Sequence, residues 1–126
     1  MRKIAIETTG APQAIGAYSQ AIQSGDTVYL SGQIPLSPTT MGIVSQDIRP
    51  QVVQVFENLR AVALASGVTL DHAVRLTVYL VDLAHFAILN DVMTKYFTAP
   101  YPARATVQVA ALPRGALVEV DAILVR

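Results

Sequence analysis

The chain has no cysteine, few charged residues and no long apolar run. Without cysteine, disulfide frameworks, thiolate metal sites and cysteine nucleophiles are excluded. No apolar run approaches the roughly 18 residues of a membrane-spanning helix, and the opening stretch MRKIAIETTG lacks the apolar core of a signal peptide. We therefore expect a cytoplasmic protein with no membrane partner.

The scarcity of charge predicts an oligomer. Charged residues make up 14% of the 126 residues and apolar residues 52%, whereas an average domain is about 25% charged. A chain of this length fits one domain, 1–126, with a large surface to cover. Exposed apolar patches tend to mark interfaces, so a second copy is expected to cover part of that surface. The alternative is a monomer with an unusually apolar surface.

Nothing in the charge pattern or the motifs favours nucleic acid, phosphate or metal binding. Nine basic and nine acidic residues give a net charge of zero, and the basic residues are scattered singly, so no nucleic-acid partner is expected. No glycine-rich phosphate loop or Gly-x-Ser-x-Gly motif occurs. His72 and His85 have no second ligand type at metal spacing, and we interpret both as surface residues.

Hydrophobic patterning predicts six strands and two helices in the order βββαβαββ. Strands are expected at 3–6, 17–23, 27–34 and 73–82, helices from Pro50 to Ser66-Gly67 and over 83–97, and a closing hairpin of 105–110 with 117–125 around LPRG. Right-handed crossovers would lay both helices on one face of a mixed sheet. The predicted fold class is therefore α+β, a two-layer sandwich whose other face meets water or another subunit.

Strand alternation gives the closing hairpin one wholly apolar face, expected under the helices. Arg104, Thr106, Gln108, Glu119 and Asp121 would then lie together on the face without helices. Burying a charged side chain costs free energy unless the charge is paired or takes part in binding or catalysis. Two interpretations stay open: a salt-bridge network that fixes subunit register, or a site where an arginine binds a small carboxylate and an acid holds water.

Four further residues are candidates for the same site. Asn90 falls on or beside the apolar stripe of the second helix, where an amide either crosslinks a loop or orients water or substrate. Tyr18, at the start of the second predicted strand, is either core rim or the lid of a pocket. Ser31 and Gly32 end a strand, where glycine permits close approach of a ligand to the backbone.

Four segments, in this order and spacing, carry a resemblance to a known family. They are IGAYSQAI, YLSGQIPLSP, the PAR of YPARATVQVAALP, and VEVDAI. Together they resemble the RidA (YjgF-like) family of reactive intermediate deaminases, over essentially the whole chain from Pro12 onward, and the segment around Arg104 is the most specific.

The resemblance implies a chorismate-mutase-like fold and a homotrimer with pockets between subunits. It implies hydrolysis of 2-enamine and 2-imine acids, such as 2-aminoacrylate, 2-iminopropanoate and 2-iminobutanoate, to 2-keto acids and ammonia, with no cofactor or metal. The substrates and products, small carboxylate-bearing imino and keto acids, would be its ligands.

Matched residue by residue, the resemblance implies that Arg104 binds the substrate carboxylate and Glu119 serves the catalytic water. It also implies that Tyr18, Asn90, and the backbone of Ser31 and Gly32 border the substrate.

Two departures from the family pattern stand out. Thr106, a further substrate-binding candidate, replaces a frequent cysteine, and the loop TAPYPA before Arg104 is short. The rival functions are a non-enzymatic ligand-binding or chaperone-like trimer and, less favoured, an RNA-cleaving or translation-inhibiting protein.

Overall fold

The computed structural model describes residues 2–126. Its strands are β1 (Lys3–Ile6), β2 (Ala21–Ser24), β3 (Thr27–Gln33), β4 (Ala73–Leu80), β5 (Ala103–Gln108) and β6 (Val118–Val125). Its helices are α1 (Ile48–Ala65) and α2 (Phe86–Met93). The order βββαβαββ and the α+β class are confirmed.

Helix α1 forms because apolar residues recur at helical spacing along one side of it. Val52, Phe56 and Leu59 are fully buried on that side. Pro50 sits in the first turn, where its missing N–H costs little. The helix ends before Gly67, whose φ of 84° is in the left-handed region that favours glycine.

The six strands form one mixed sheet in the order β1-β2-β3-β6-β4-β5. β4 and β5 are parallel, and the other neighbours are antiparallel. A glycine turn joins β2 to β3, with Gly25 at φ 60°. The helices cover one face, which we call the helix face, and the opposite one is the open face.

The core lies between the helix face and the helices. Alternate residues of β4 and β6 are buried there, namely Leu76, Val78, Leu80, Val118, Val120, Ala122 and Leu124. The predicted alternation of β6 is therefore confirmed, and Glu119 and Asp121 lie on the open face as expected.

The predicted closing hairpin is wrong. β5 pairs with β4 in parallel, and β6 inserts between β3 and β4. The connection through α2 takes the chain from β4 to β5, which lies beside β4 at the edge of the sheet. The connection from β3 through α1 to β4 leaves one strand position open between them, and β6 occupies it. Local sequence favoured a hairpin because two strand patterns flank a short turn-rich segment.

The predicted grouping of Arg104 with Glu119 on one face is also wrong. Arg104 is level with Leu76, and Thr106 with Val78, so both point to the helix face, as does Gln108 beside Leu80. Hydrophobicity misled the assignment because the open face carries apolar side chains too. At this edge of the sheet the apolar set of β5 faces the open side.

Two smaller expectations need correction. Tyr18 lies in the irregular segment before β2, which begins only at Ala21. The second helix is shorter than 83–97, because a 3-10 turn at Leu83–His85 precedes α2 and the regular helix ends at Met93.

Among residues 2–126, no helix has the length and hydropathy needed to span a bilayer.

Candidate active site

The guanidinium of Arg104 is held by α2. Its Nη1 donates to Asn90 Oδ1 at 2.7 Å and to Met93 Sδ at 3.1 Å. Its Cζ lies 5.2 Å from the centroid of the Phe86 ring, a cation–π distance. We call Arg104, Asn90, Met93 and Phe86 the arginine cluster.

No anion balances the charge of Arg104 within the described residues. The ion pairs there are Arg49 with Asp91 and Arg60 with Glu57. Burial lowers the pKa of the Arg104 guanidinium, but an arginine stays protonated at any physiological pH. A partly desolvated cation with N–H groups to spare is suited to bind a carboxylate from solution.

The arginine cluster opens onto a cavity of about 410 Å³. Its walls are Asn90, Met93, Thr94, Tyr101, Pro102 and Arg104. The short loop before Arg104 therefore borders the cavity through Tyr101 and Pro102. Tyr101 is more than half exposed, so this wall has room for a ligand or for another protein surface.

Glu119 lies on the open face at a second cavity of about 400 Å³. Its walls are Ile15, Tyr18, Ser31, Gly32, Ile34, Pro113 and Glu119. We call Glu119, Gly32, Ser31 and Tyr18 the glutamate cluster. Three candidates that the sequence named separately are thus brought together around Glu119.

Burial, and then the negative charge of Asp121, raise the pKa of the Glu119 carboxyl. Within residues 2–126 no group donates a hydrogen bond to this carboxyl, whereas Asp121 accepts one from the Tyr79 hydroxyl at 3.1 Å. The two acids therefore differ in surroundings: Asp121 is held by a neighbour, and the Glu119 carboxylate has no donor among the described residues.

Gly32 makes room for the Glu119 carboxylate. A Cβ at position 32 would collide with Glu119 Oε2, because the carboxylate packs directly over the glycine. The pairing of β3 with β6 shifts register between Leu30 and Gln33, so Ser31 and Gly32 form an irregularity beside β6. The sequence signal for this was the glycine inside a strand pattern.

Ser31 and a buried glutamine hold the segment that carries Tyr18. The Ser31 hydroxyl donates to the carbonyl of Ser19 at 2.6 Å. Gln20, which is 4% exposed, donates to the carbonyls of Thr8, Ala11 and Pro12 and accepts from the Thr8 amide. Tyr18 is thereby fixed at the rim of the glutamate cavity with half of its surface exposed.

The arginine and glutamate clusters do not meet within one chain. Register puts Arg104 level with Leu76 and Glu119 level with Tyr79, on strands two positions apart, so their Cα atoms are roughly 14 Å apart. Their side chains also point to opposite faces of the sheet. A small molecule cannot touch both groups in a single subunit.

The surroundings of Thr106 differ from those of the other candidate residues. Its Oγ1 is shielded from solvent, and no group among residues 2–126 forms a hydrogen bond with it. Its role as a substrate contact stays a prediction.

Sequence reasoning missed Phe86 and Met93 as neighbours of the arginine. In the sequence both read as ordinary members of the apolar side of the second helix. The available signal was their spacing: they lie four residues before and three after Asn90, the positions that share a helix face with it.

A larger cavity of about 470 Å³ lies beside Tyr18, between Glu7 and Gln20, but no lysine or arginine lines it. It therefore lacks the cation that a carboxylate ligand needs. No three His, Asp or Glu side chains of residues 2–126 come together as a possible metal site.

Comparison with known proteins gives one consistent result. A family model described as "Endoribonuclease L-PSP" matches residues 8–126. Protein DfrA of Myxococcus xanthus is 54% identical, over 99% of this chain and 97% of that protein. A protein of Dermatophagoides farinae named 2-iminobutanoate/2-iminopropanoate deaminase is 46% identical, over 95% of this chain and 94% of that protein.

The fold matches solved structures as closely. The crystal structure of RidA from an Antarctic Psychrobacter superposes with a TM-score of 0.95 at 47% identity, and the match covers 98% of this chain and 99% of that one. Family model, relatives and fold agree, and the chain belongs to the RidA family.

Proposed function

We propose that this protein hydrolyses small 2-imino acids, and the enamines that tautomerise to them, to 2-keto acids and ammonia. Its substrates are 2-aminoacrylate, 2-iminopropanoate and 2-iminobutanoate, the latter two being named in the deaminase relative. The observation that carries the proposal is Arg104, a partly buried cation without an anion, held by Asn90 at the wall of an open cavity.

Arg104 binds the substrate carboxylate through N–H groups that Asn90 and Met93 do not use. Since α2 fixes the guanidinium before the substrate arrives, little ordering is left for the binding step. The carboxylate then sets the position of the imine carbon beside it.

Glu119 activates the water. The carboxylate takes a proton from a water molecule as the oxygen attacks C2 of the protonated imine, which gives a carbinolamine. Glu119 returns that proton to the amino nitrogen and then takes the hydroxyl proton as the C=O bond forms, so that the C–N bond breaks and ammonia leaves with the keto acid. The proton on Glu119 passes to ammonia or to solvent, which restores the carboxylate. A carboxyl whose pKa is raised by burial and by Asp121 suits a group that must take up and return a proton.

We propose that each site forms between two subunits of a homotrimer, with the arginine cluster of one facing the glutamate cluster of the next. The distance and opposite facing of the two clusters within one chain support this, as do the exposed Tyr29 and Val107 on the open face. Asp121 and its Tyr79 partner are then structural groups near the subunit seam.

Hydrolysis is favoured over the RNA cleavage that the family description names. The net charge of zero gives little attraction for a phosphate backbone. His72 caps a 3-10 turn through Thr69, and neither His72 nor His85 lines the arginine or the glutamate cavity.

The test is Arg104→Ala, assayed on imino acids generated in situ by an amino-acid oxidase, with keto-acid release measured above the spontaneous rate. Loss of two charge-assisted hydrogen bonds should lower kcat/KM by about 100-fold or more. Arg60→Ala is the matched control, since it removes a surface arginine paired with Glu57. Unchanged turnover by an Arg104→Ala protein of wild-type mass would refute the carboxylate role.

A further inference from the structure

Two residues outside both clusters share an unusual backbone conformation. Among residues 2–126, the non-glycine residues with positive φ are Met41, at 62°, and Arg114, at 58°. Residues other than glycine adopt this left-handed backbone conformation only at a cost in free energy, so they are found there where surrounding contacts hold them.

These two residues are bound to each other. Arg114 Nη1 donates to the carbonyl oxygen of Met41 at 2.9 Å, although 73 positions separate them in the chain. Together they form a contact that we call the loop clasp. No acid of the described residues pairs with Arg114, so the backbone carbonyl is its partner.

The loop clasp joins the two loops that leave the glutamate cavity. Ile34 and Pro113 are apolar walls of that cavity. Residue 34 opens the loop 35–44, whose tip holds Met41, and Pro113 directly precedes Arg114. Arg114 and Gly115 are both left-handed, so the chain turns sharply after Pro113.

The base of the loop 35–44 has its own anchors, so the clasp acts on the tip. Asn58, 1% exposed on α1, donates to the carbonyl of Leu36 at 3.0 Å. Leu36 also bridges Ile43, and the Val44 amide donates to the Pro35 carbonyl at 3.1 Å. Loss of Arg114 should therefore loosen this side of the cavity without unfolding the loop.

We propose that the loop clasp sets the width of the glutamate cavity, and that Arg114 is a specificity-determining residue that acts through Pro113 and the 35–44 loop. The inference rests on the proposed function, since it assigns to that site a preference for acids with short side chains. Arg114 does not line the glutamate cavity, so it is a positioning residue.

The experiment compares Arg114→Gly with Arg114→Lys. Glycine keeps the left-handed backbone and removes the donor, whereas lysine keeps a long cationic donor. The readout is the ratio of dissociation constants for pyruvate and 4-methyl-2-oxopentanoate, the keto acids of a short and a longer substrate, measured by calorimetry. Arg60→Ala is the control for loss of a surface arginine.

Arg114→Gly should shift the ratio about fivefold toward the longer acid, the factor that one net hydrogen bond is worth. Arg114→Lys should recover most of the wild-type ratio, and Arg60→Ala should leave it unchanged. Amide exchange at Met41, whose N–H donates to the Ser37 carbonyl, should quicken in Arg114→Gly.

An unchanged ratio in Arg114→Gly overturns the proposal, whether or not amide exchange quickens, because the clasp would then be structural only. Failure of either keto acid to bind the wild-type protein overturns it as well. Failure of the proposed function would be seen in a separate measurement. In that case the wild-type protein would show no turnover of imino acids, while the ratio of dissociation constants would still shift in Arg114→Gly.

Discussion

Arg104 is the residue on which the proposed chemistry depends, and its surroundings explain why its charge is available. Its neighbours are an amide, a thioether and an aromatic ring, which orient the guanidinium without neutralising it. An aspartate in place of Asn90 would pair with Arg104 and compete with any substrate carboxylate. The neutral amide leaves the positive charge free for a ligand.

Gly32 matters through the atom that it lacks. In Gly32→Ala the new Cβ would occupy the space of the Glu119 carboxylate, which must then move. We expect kcat to fall by about 100-fold, because a displaced base no longer holds the water in line with the imine. Steady-state kinetics on 2-iminopropanoate measure this, with Gly42→Ala as the control, since position 42 has room for a Cβ. Wild-type kcat in Gly32→Ala would show that Glu119 can act from another position.

The raised pKa of Glu119 predicts a pH dependence of stability. Because folding raises this pKa, the folded state binds the proton more tightly, so the stabilisation is complete below the unfolded pKa and is lost as pH rises through the folded one. Glu119→Gln, which cannot ionise, should therefore gain stability over the wild type near neutral pH.

Urea unfolding at pH 4.5 and pH 7.5, at one protein concentration, measures this difference. The advantage of Glu119→Gln should be larger at pH 7.5 and shrink at pH 4.5. An advantage that grows as the pH falls would mean that the native site stabilises the ionised form instead.

At the scale of elements, the strands differ in how far their sequence predicts their environment. β6 alternates apolar residues with Glu119 and Asp121, and its register follows from that contrast, since a one-residue slip would bury both acids in the core. β5 alternates as well, but its apolar residues Ala105 and Val107 face the open side, and its polar residues face the helices. The parallel pairing of β5 with β4, which follows from the connection through α2, decides which face each β5 side chain points to. The local sequence pattern does not contain that information.

The residues of the candidate site also differ in how far the sequence predicts them. Tyr18, Ser31, Gly32 and Glu119 could be named from sequence and do come together in the structure. The partners of Arg104 are harder to predict, because a cation–π contact with Phe86 depends on how α2 packs against β5. Residue type limits the possible chemistry, whereas packing determines the partners.

Gln51 ties α1 to the sheet and to the loop before it. It is 1% exposed, its Nε2 donates to the Ser45 carbonyl at 2.8 Å, and its Oε1 accepts from the Leu117 amide at 2.8 Å. Gln51→Leu leaves two backbone groups unpaired and should destabilise the protein by about 2–4 kcal/mol. Denaturant unfolding measures the loss, with Gln46→Leu as the control, since Gln46 is exposed. A loss below about 0.5 kcal/mol would mean that water replaces both bonds.

At the scale of the whole molecule, the sheet has two apolar faces and helices for only one. The open face carries Tyr29, half exposed, beside Ile22 and Ile123 on the neighbouring strands. Val107 is exposed on the same face at the sheet edge. We expect other copies of the chain to cover this surface, because exposed apolar patches of this kind tend to mark interfaces.

A charge placed on the open face should therefore break the assembly. Tyr29→Glu is expected to reduce the mass in solution from three times 13.5 kDa to 13.5 kDa, because a carboxylate would be buried among apolar side chains. Leu64→Glu is the matched control: Leu64 is 58% exposed on α1, away from the open face, and the change should leave the mass unaltered. Light scattering after gel filtration measures both. A Tyr29→Glu protein that keeps the full mass would assign the interface to another surface.

The central claim, that one site takes its arginine and its glutamate from different subunits, is tested most directly by mixing inactive variants. Arg104→Ala and Glu119→Gln proteins would be unfolded together, refolded at equal concentration and assayed for imino-acid hydrolysis. Random assembly should pair an intact arginine with an intact glutamate at about one quarter of the interfaces, and activity should return to about that fraction of the wild type. Mixtures that form mixed trimers yet stay as inactive as the separate variants would contradict the account.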